Sequence, residues 1–239
     1  MRALNYLILI PSLLVACGGP DEQELPPPSA TAVEEDIAAA ATDQVSVLFE
    51  NDFVRVMNFT LEPGEALPMH AGRPRVVYSL ADYRLRFTEG STTEEVAWEE
   101  GDVHWHGPDE HAVENAGTTT ARFLVVARTD TRLAGESPGP DPEDAAVADP
   151  VHAEVLLDTD DVRVVRVTLT PGEAQPAHQG LPRLVYSLTS YTIRYTEPGA
   201  EPLEQSFQPG DAHWHEAGEH AVENTGATEA RFVVFQFRR

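Results

Sequence analysis

The chain has no lysine, one cysteine and few bases of any kind. All 16 of its basic residues are arginines. Without lysine there is no Schiff-base nucleophile and no Walker-type phosphate loop. With Cys17 alone there is no internal disulfide and no cysteine-built zinc site. Against 40 acids, 16 bases leave a formal charge of −24, which argues against nucleic acid or anionic lipid headgroups as partners. No apolar run reaches the ~20 residues that span a bilayer. What remains is an ordinary globular balance, 41% hydrophobic and 23% charged over 239 residues. That length suits one large domain or two smaller ones.

The longest apolar stretch, Leu7 to Val15, is broken by Pro11 and Ser12, follows Arg2, and ends in Leu14-Val15-Ala16-Cys17. It reads as a secretory signal segment. Its end resembles the lipobox of bacterial lipoproteins, which implies acylation of Cys17 and a lipid anchor in the cell envelope. Gly18 stands where an Asp would resemble the inner-membrane retention signal. The expected location is therefore the outer membrane, facing periplasm or exterior.

The expected organisation is a signal peptide over residues 1–16, a tether over 17–44, a first domain over 45–128, a linker over 129–150 and a second domain over 151–239. The tether carries Pro26-Pro27-Pro28, and the linker carries Ser137-Pro138-Gly139-Pro140-Asp141-Pro142. Thr31 to Glu34 reads either as the cap of a short helix reaching Ala41 or as disorder.

The two domains are copies. Pro63-Gly64-Glu65-Ala66 recurs as Pro171 to Ala174, and Val77-Tyr78-Ser79-Leu80 as Val185 to Leu188. His104-Trp105-His106 recurs as His213-Trp214-His215. Over residues 54–89 and 101–126, 39 of 62 aligned positions are identical, too many for chance. Runs such as Val54 to Leu61, Val76 to Leu80, Arg84 to Thr88, Val96 to Trp98 and Arg122 to Ala127 are rich in β-branched and aromatic residues. Gly, Pro, Asp and Asn punctuate them. The pattern predicts an all-β sandwich or small barrel in each copy.

Each copy resembles the cupin superfamily. Gly64, five residues and His70 resemble the start of its first motif, as do Gly172 and His178. Gly101 with His111-Ala112-Val113-Glu114-Asn115 resembles its second, as does Gly210 with His220 to Asn224. The resemblance implies two tandem jelly-roll barrels packed as a bicupin. It also places His70 and His111, with His178 and His220, at the barrel mouths. The departures are specific. Where the family has a second His, this chain has Gly72 and Gly180. Where it has Glu, the chain has valine or leucine.

Each copy nevertheless holds four matching histidines, with only His152 outside the scheme. His104 and His106, two residues apart on a strand, share a face, as do His213 and His215. If that face looks inward, His106 joins His70 and His111, and His215 joins His178 and His220, as a three-imidazole site for Zn, Fe, Mn or Ni. The usual burial of tryptophan favours the opposite expectation, with Trp105 and Trp214 inward and these histidines outside. Arg75 and Arg183 follow the first motif closely and are candidates to clamp a carboxylate ligand. Glu110 and Glu219 flank the last histidines as candidate ligands or bases, and otherwise as a solvated face. The functional expectation is a lipid-anchored, monomeric small-molecule-binding module with degenerate His clusters. A metal-dependent oxygenase, isomerase or lyase and a structural duplicate without ligand are the alternatives. No cofactor is required by the sequence, and no ligand is identified by it.

Overall fold

The computed structural model describes residues 36–131 and 144–238. The signal segment, Cys17, Thr31 to Glu34 and the Pro-rich part of the linker lie outside the described residues. Among the described residues, no helix is long and apolar enough to cross a membrane.

The first copy has helix α1 (Ile37–Ala40) and nine strands. These are β1 (Val45–Glu50), β2 (Val54–Leu61), β3 (Ala66–Gly72), β4 (Arg75–Ser79), β5 (Tyr83–Glu89), β6 (Thr92–Trp98), β7 (Val103–His106), β8 (Asp109–Asn115) and β9 (Ala121–Arg128). The second repeats the series as α2 (Ala145–Ala148), β10 (Ala153–Asp158), β11 (Val162–Leu169), β12 (Ala174–Gly180), β13 (Arg183–Ser187), β14 (Tyr191–Thr196), β15 (Leu203–Phe207), β16 (Ala212–His215), β17 (Gly218–Asn224) and β18 (Ala230–Phe237). In each copy a five-stranded sheet, β1-β2-β9-β4-β7 or β10-β11-β18-β13-β16, faces a four-stranded one, β3-β8-β5-β6 or β12-β17-β14-β15. All pairings are antiparallel, as a jelly-roll barrel requires.

The core falls into three clusters. Two fill the barrel lumens, around Phe59, Leu85 and Phe123 in the first and Val167, Ile193 and Phe232 in the second. The third lies between the barrels, where the outer faces of the two five-stranded sheets meet. Val56, Val76, Tyr78 and Val126 there pack with Val164, Leu184, Tyr186 and Phe235. Phe53 stacks on Trp214 at 5.8 Å, and Arg128 pairs with Asp161 at 2.6 Å across the same junction. Strands β4 and β13 are consequently buried on both faces, which is why apolar residues stand side by side at their centres, Val76-Val77-Tyr78 and Leu184-Val185-Tyr186, rather than alternating.

Two short helices start each folded copy earlier than residues 45 and 151. Asp36 caps α1 by accepting from the Ala38 N–H, and Asp144 caps α2 through the Ala146 and Val147 N–H groups. Ile37 and Ala41 are buried in the first lumen and Ala145 in the second. After β2 and β11 the chain turns at Pro63-Gly64 and Pro171-Gly172. Both glycines have a φ above +80°, a region closed to most side chains.

Buried Asn115 and Asn224 tie each barrel's loops. The Asn115 amide donates to the Leu61 and Thr119 carbonyls and accepts from the Gly117 N–H. Asn224 repeats this with Leu169, Thr228 and Gly226. The asparagine that closes the second motif is therefore structural.

Candidate functional site

All eight motif histidines project into the lumens. His70 and His111 are register partners across β3 and β8, with rings 4.5 Å apart, and His178 and His220 match them at 4.3 Å. His104 and His106 also face inward, 4.8 Å apart, and His213 and His215 are 5.0 Å apart. This corrects the expectation that tryptophan would take the inner face. Trp105 and Trp214 instead belong to the core between the barrels. With one barrel packed on another, both faces of β7 and β16 are covered, so burial of tryptophan does not identify the lumen. Glu110 and Glu219 are exposed and line neither lumen, because their neighbours His111 and His220 take the inward positions.

The histidines are held neutral. Burial and the nearby Arg75 guanidinium push His104, His106 and His111 down to about 4 and lower His70 as well. Burial and Arg183 take His213 to about 4, His215 to about 3 and His220 to about 2, and also lower His178. The tautomers follow from the partners. His70 Nδ1 lies 2.8 Å from the Pro68 carbonyl and must donate to it, as His178 does to Pro176. His111 Nδ1 donates to Asp109 at 3.0 Å. In these rings Nε2 is the bare nitrogen.

A buried arginine lies in each cluster. Arg75 is 7% exposed, and its two terminal nitrogens meet the two Asp109 oxygens at 2.8 Å each. Nη1 also donates to the Arg73 and Gly107 carbonyls. Gly72 makes room for this group: a Cβ there would lie 2.3 Å from Arg75 Nη1 and 2.2 Å from Asp109 Oδ1. A Cβ on Gly180 would likewise lie 2.2 Å from Arg183 Nη1. Where the resemblance would place a second histidine, a guanidinium lies directly against the glycine.

As they are placed, the metal candidates do not converge on a metal site. Among the described residues, no three His, Cys, Asp or Glu side chains form a group able to hold one. The six metal candidates share their lumens with a permanent cation that acts on all four histidines of its barrel. In the second barrel, where Arg183 has no carboxylate partner among the described residues, a dication would be repelled from the same place.

The lumens differ in room. The first holds a cavity of about 490 Å³, lined by Leu85, Phe87, Trp98 and Phe123 together with His70, His104, His106, His111 and Arg75. The second retains about 40 Å³. Helix α2 packs on β12 as well as β10, across both sheets, whereas α1 packs on β1. Gln175 and Gln236 stand in the second lumen where Leu67 and Ala127 stand in the first, and Tyr195 replaces Phe87. Gln236 is drawn toward the helix by its bond to Asp144 at 2.9 Å. Sequence reasoning that weighed what the copies share missed Asp109, Trp98, Phe87 and Tyr195. The differences between the copies would have revealed them.

No protein-family model and no curated protein matches the chain. Solved structures do. AerE from Microcystis aeruginosa aligns over 82% of this chain and 93% of its own at 13% identity, with a TM-score of 0.60. An oxalate decarboxylase variant from Bacillus subtilis aligns over 81% and 72% at 14% identity and a TM-score of 0.58. The Lactobacillus farciminis oxalate decarboxylase aligns over 79% and 78% at 14% and 0.55. The chain has the bicupin fold. These identities establish the fold of the bicupin and leave its chemistry to its own residues.

Proposed function

We propose that this bicupin is a small-molecule-binding module, held at the cell envelope by a lipid on Cys17, with the first barrel as the binding barrel. The observation that carries the reading is the 490 Å³ cavity lined by aromatic side chains and neutral imidazoles. Ligand sites of this size are mostly apolar with a few placed polar groups. The ligand class is a molecule with an apolar or aromatic body and an uncharged hydroxyl or carbonyl group. The bare Nε2 of His70 or His111 accepts from a hydroxyl. The carboxylate clamp expected at Arg75 is already answered by Asp109.

Trp98 lines this cavity and its counterpart in the second barrel is Phe207, so tryptophan emission can report the first lumen. Titration with phenols and naphthols should quench that emission saturably, and Trp98→Phe should remove the response. Loss of quenching in Trp98→Phe together with unchanged affinity by calorimetry places the ligand beside Trp98. Undiminished quenching in Trp98→Phe would place the ligand elsewhere. The same titration with Zn or Mn added addresses the metal-enzyme alternative: a metal requirement for binding would overturn the metal-free reading. Cys17→Ser should abolish palmitate labelling, and equal labelling of wild type and variant would end the lipoprotein reading.

A further inference from the structure

Arg183 is 3% exposed, yet it has no ion pair among the described residues. Its Nη1 donates to the Leu181 and Glu216 carbonyls at 3.2 and 3.1 Å, and its Nη2 to the Tyr195 hydroxyl at 3.0 Å. Nη2 also lies 3.2 and 3.4 Å from the two ring nitrogens of His220. None of these partners carries a negative charge. Glu197 acts on it only through space.

The contrast with the first barrel is at two residues: Gly218 stands for Asp109, and Tyr195, whose hydroxyl accepts from Nη2, stands for Phe87. Gly72 faces Asp109 across β3 and β8, and Gly180 faces Gly218 across β12 and β17. The carbonyls around the two guanidinium groups correspond: Arg73 and Gly107 in one, Leu181 and Glu216 in the other. The carboxylate is absent from the second copy, and a neutral hydroxyl is what Nη2 meets instead. A Cβ on Gly218 meets nothing within 4 Å, so there is room where the Asp109 side chain begins in the first barrel. A buried cation without a counter-charge is strongly disfavoured, and its guanidinium fork is shaped for a carboxylate. A second donor in the same lumen, Gln175 Nε2, is buried with no acceptor.

We propose that the second barrel binds a small carboxylate anion at Arg183, in the position that Asp109 fills in the first barrel. Arg183 supplies the charge, and His220 Nδ1 takes the place of His111 Nδ1 beside it. The aspartate side chain it replaces sets the size class at one or two carbons. Acetate is the aspartate side chain cut at its Cα–Cβ bond, so it is the natural probe. The net charge of −24 opposes any anion, but at ~0.15 M salt that field is screened beyond about 8 Å and the local guanidinium dominates.

The test is calorimetric unfolding of the full chain in sodium acetate or formate, with sodium chloride at equal ionic strength as reference. Wild type should show a saturating rise in melting temperature of about 5 °C at a hundredfold excess over the dissociation constant. Gly218→Asp should melt higher than wild type and lose the response. Asp109→Gly should gain a second carboxylate site, seen as doubled stoichiometry in carbon-13 acetate line broadening. The doubling keeps the test decisive if Gly218→Asp fails to fold. No saturable response in wild type, or an undiminished one in Gly218→Asp, overturns the proposal. An equal response to chloride overturns the carboxylate assignment.

Discussion

The two barrels share their strands, their histidines and their buried arginine, and they differ in whether the lumen is open and whether the arginine is neutralised. In the first, Asp109 neutralises Arg75, Leu67 and Ala127 leave space, and α1 lies on one sheet. In the second, Gly218 leaves Arg183 uncompensated, two glutamines occupy the lumen, and α2 bridges both sheets. Duplication kept the scaffold while a handful of lumen positions separated the two sites. The instructive point is that identical histidine sets do not make equivalent sites. A guanidinium, a carboxylate and a helix decide what those histidines can do.

The largest expected effect comes from making the first barrel resemble the second. Asp109→Ala strips the counter-charge from a buried arginine and should cost about 3 kcal/mol, the low end for a broken buried pair, since the Asp109 side chain is 20% exposed. Denaturant unfolding measures this, and a cost below about 1 kcal/mol would show that Arg75 does not depend on Asp109.

Next come the positions where the barrels should behave alike. Asn115→Ala and Asn224→Ala each remove three hydrogen bonds from a fully buried amide, and each should cost about 2–3 kcal/mol. Unequal losses would break the structural equivalence of the two copies.

The double variant Leu67→Gln/Ala127→Gln installs the second barrel's lumen residues in the first. It should weaken binding of an aromatic ligand about tenfold or more, roughly 1.4 kcal/mol, by filling the cavity. Unchanged affinity would mean that the cavity is not the site.

Acidification tests the two clusters together. A histidine whose folded pKa lies below its unfolded ~6.5 binds more protons when unfolded, so stability falls as pH drops below ~6.5. For His104, His106 and His111 that loss is complete by about pH 4. For His215 and His220 it continues to about 3 and 2. Melting temperatures flat between pH 7 and 4 would contradict neutral, buried histidines. The smallest effect is expected at the surface: Arg86→Ala and Arg194→Ala break exposed pairs with Glu95, Glu114, Glu204 and Glu223 and should leave the melting temperature unchanged.

Much of this was legible in the chain itself. The repeat announced two equivalent domains, and the punctuated β-branched runs gave β2, β4, β5, β6 and β9. Strand β3 was not legible, because Ala66 to Gly72 carries Pro68 and His70 and little of the β-branched character that marks a strand. Arg75 and Arg183 stood out by position, but not as the groups that lie where the resemblance would place a second histidine. That depends on Gly72 and Gly180 lying against the guanidinium groups, a contact across space.

By itself the sequence determined the charge, the duplication and the all-β class, because these rest on residue identity and on periodicity along one strand. Only the tertiary structure decided which way the His-Trp-His strands face. Alternation gives two sides but not what covers each, and here the second barrel covers one of them with Val164, Leu184 and Phe235 while the lumen takes the other. The same holds for Asp109 and Gly218. Their importance comes from lying opposite Gly72 and Gly180, and so beside Arg75 and Arg183, across strands some thirty-seven residues apart in sequence. Whether a buried cation is neutralised is a matter of ångströms, and only the packed sheets fix those.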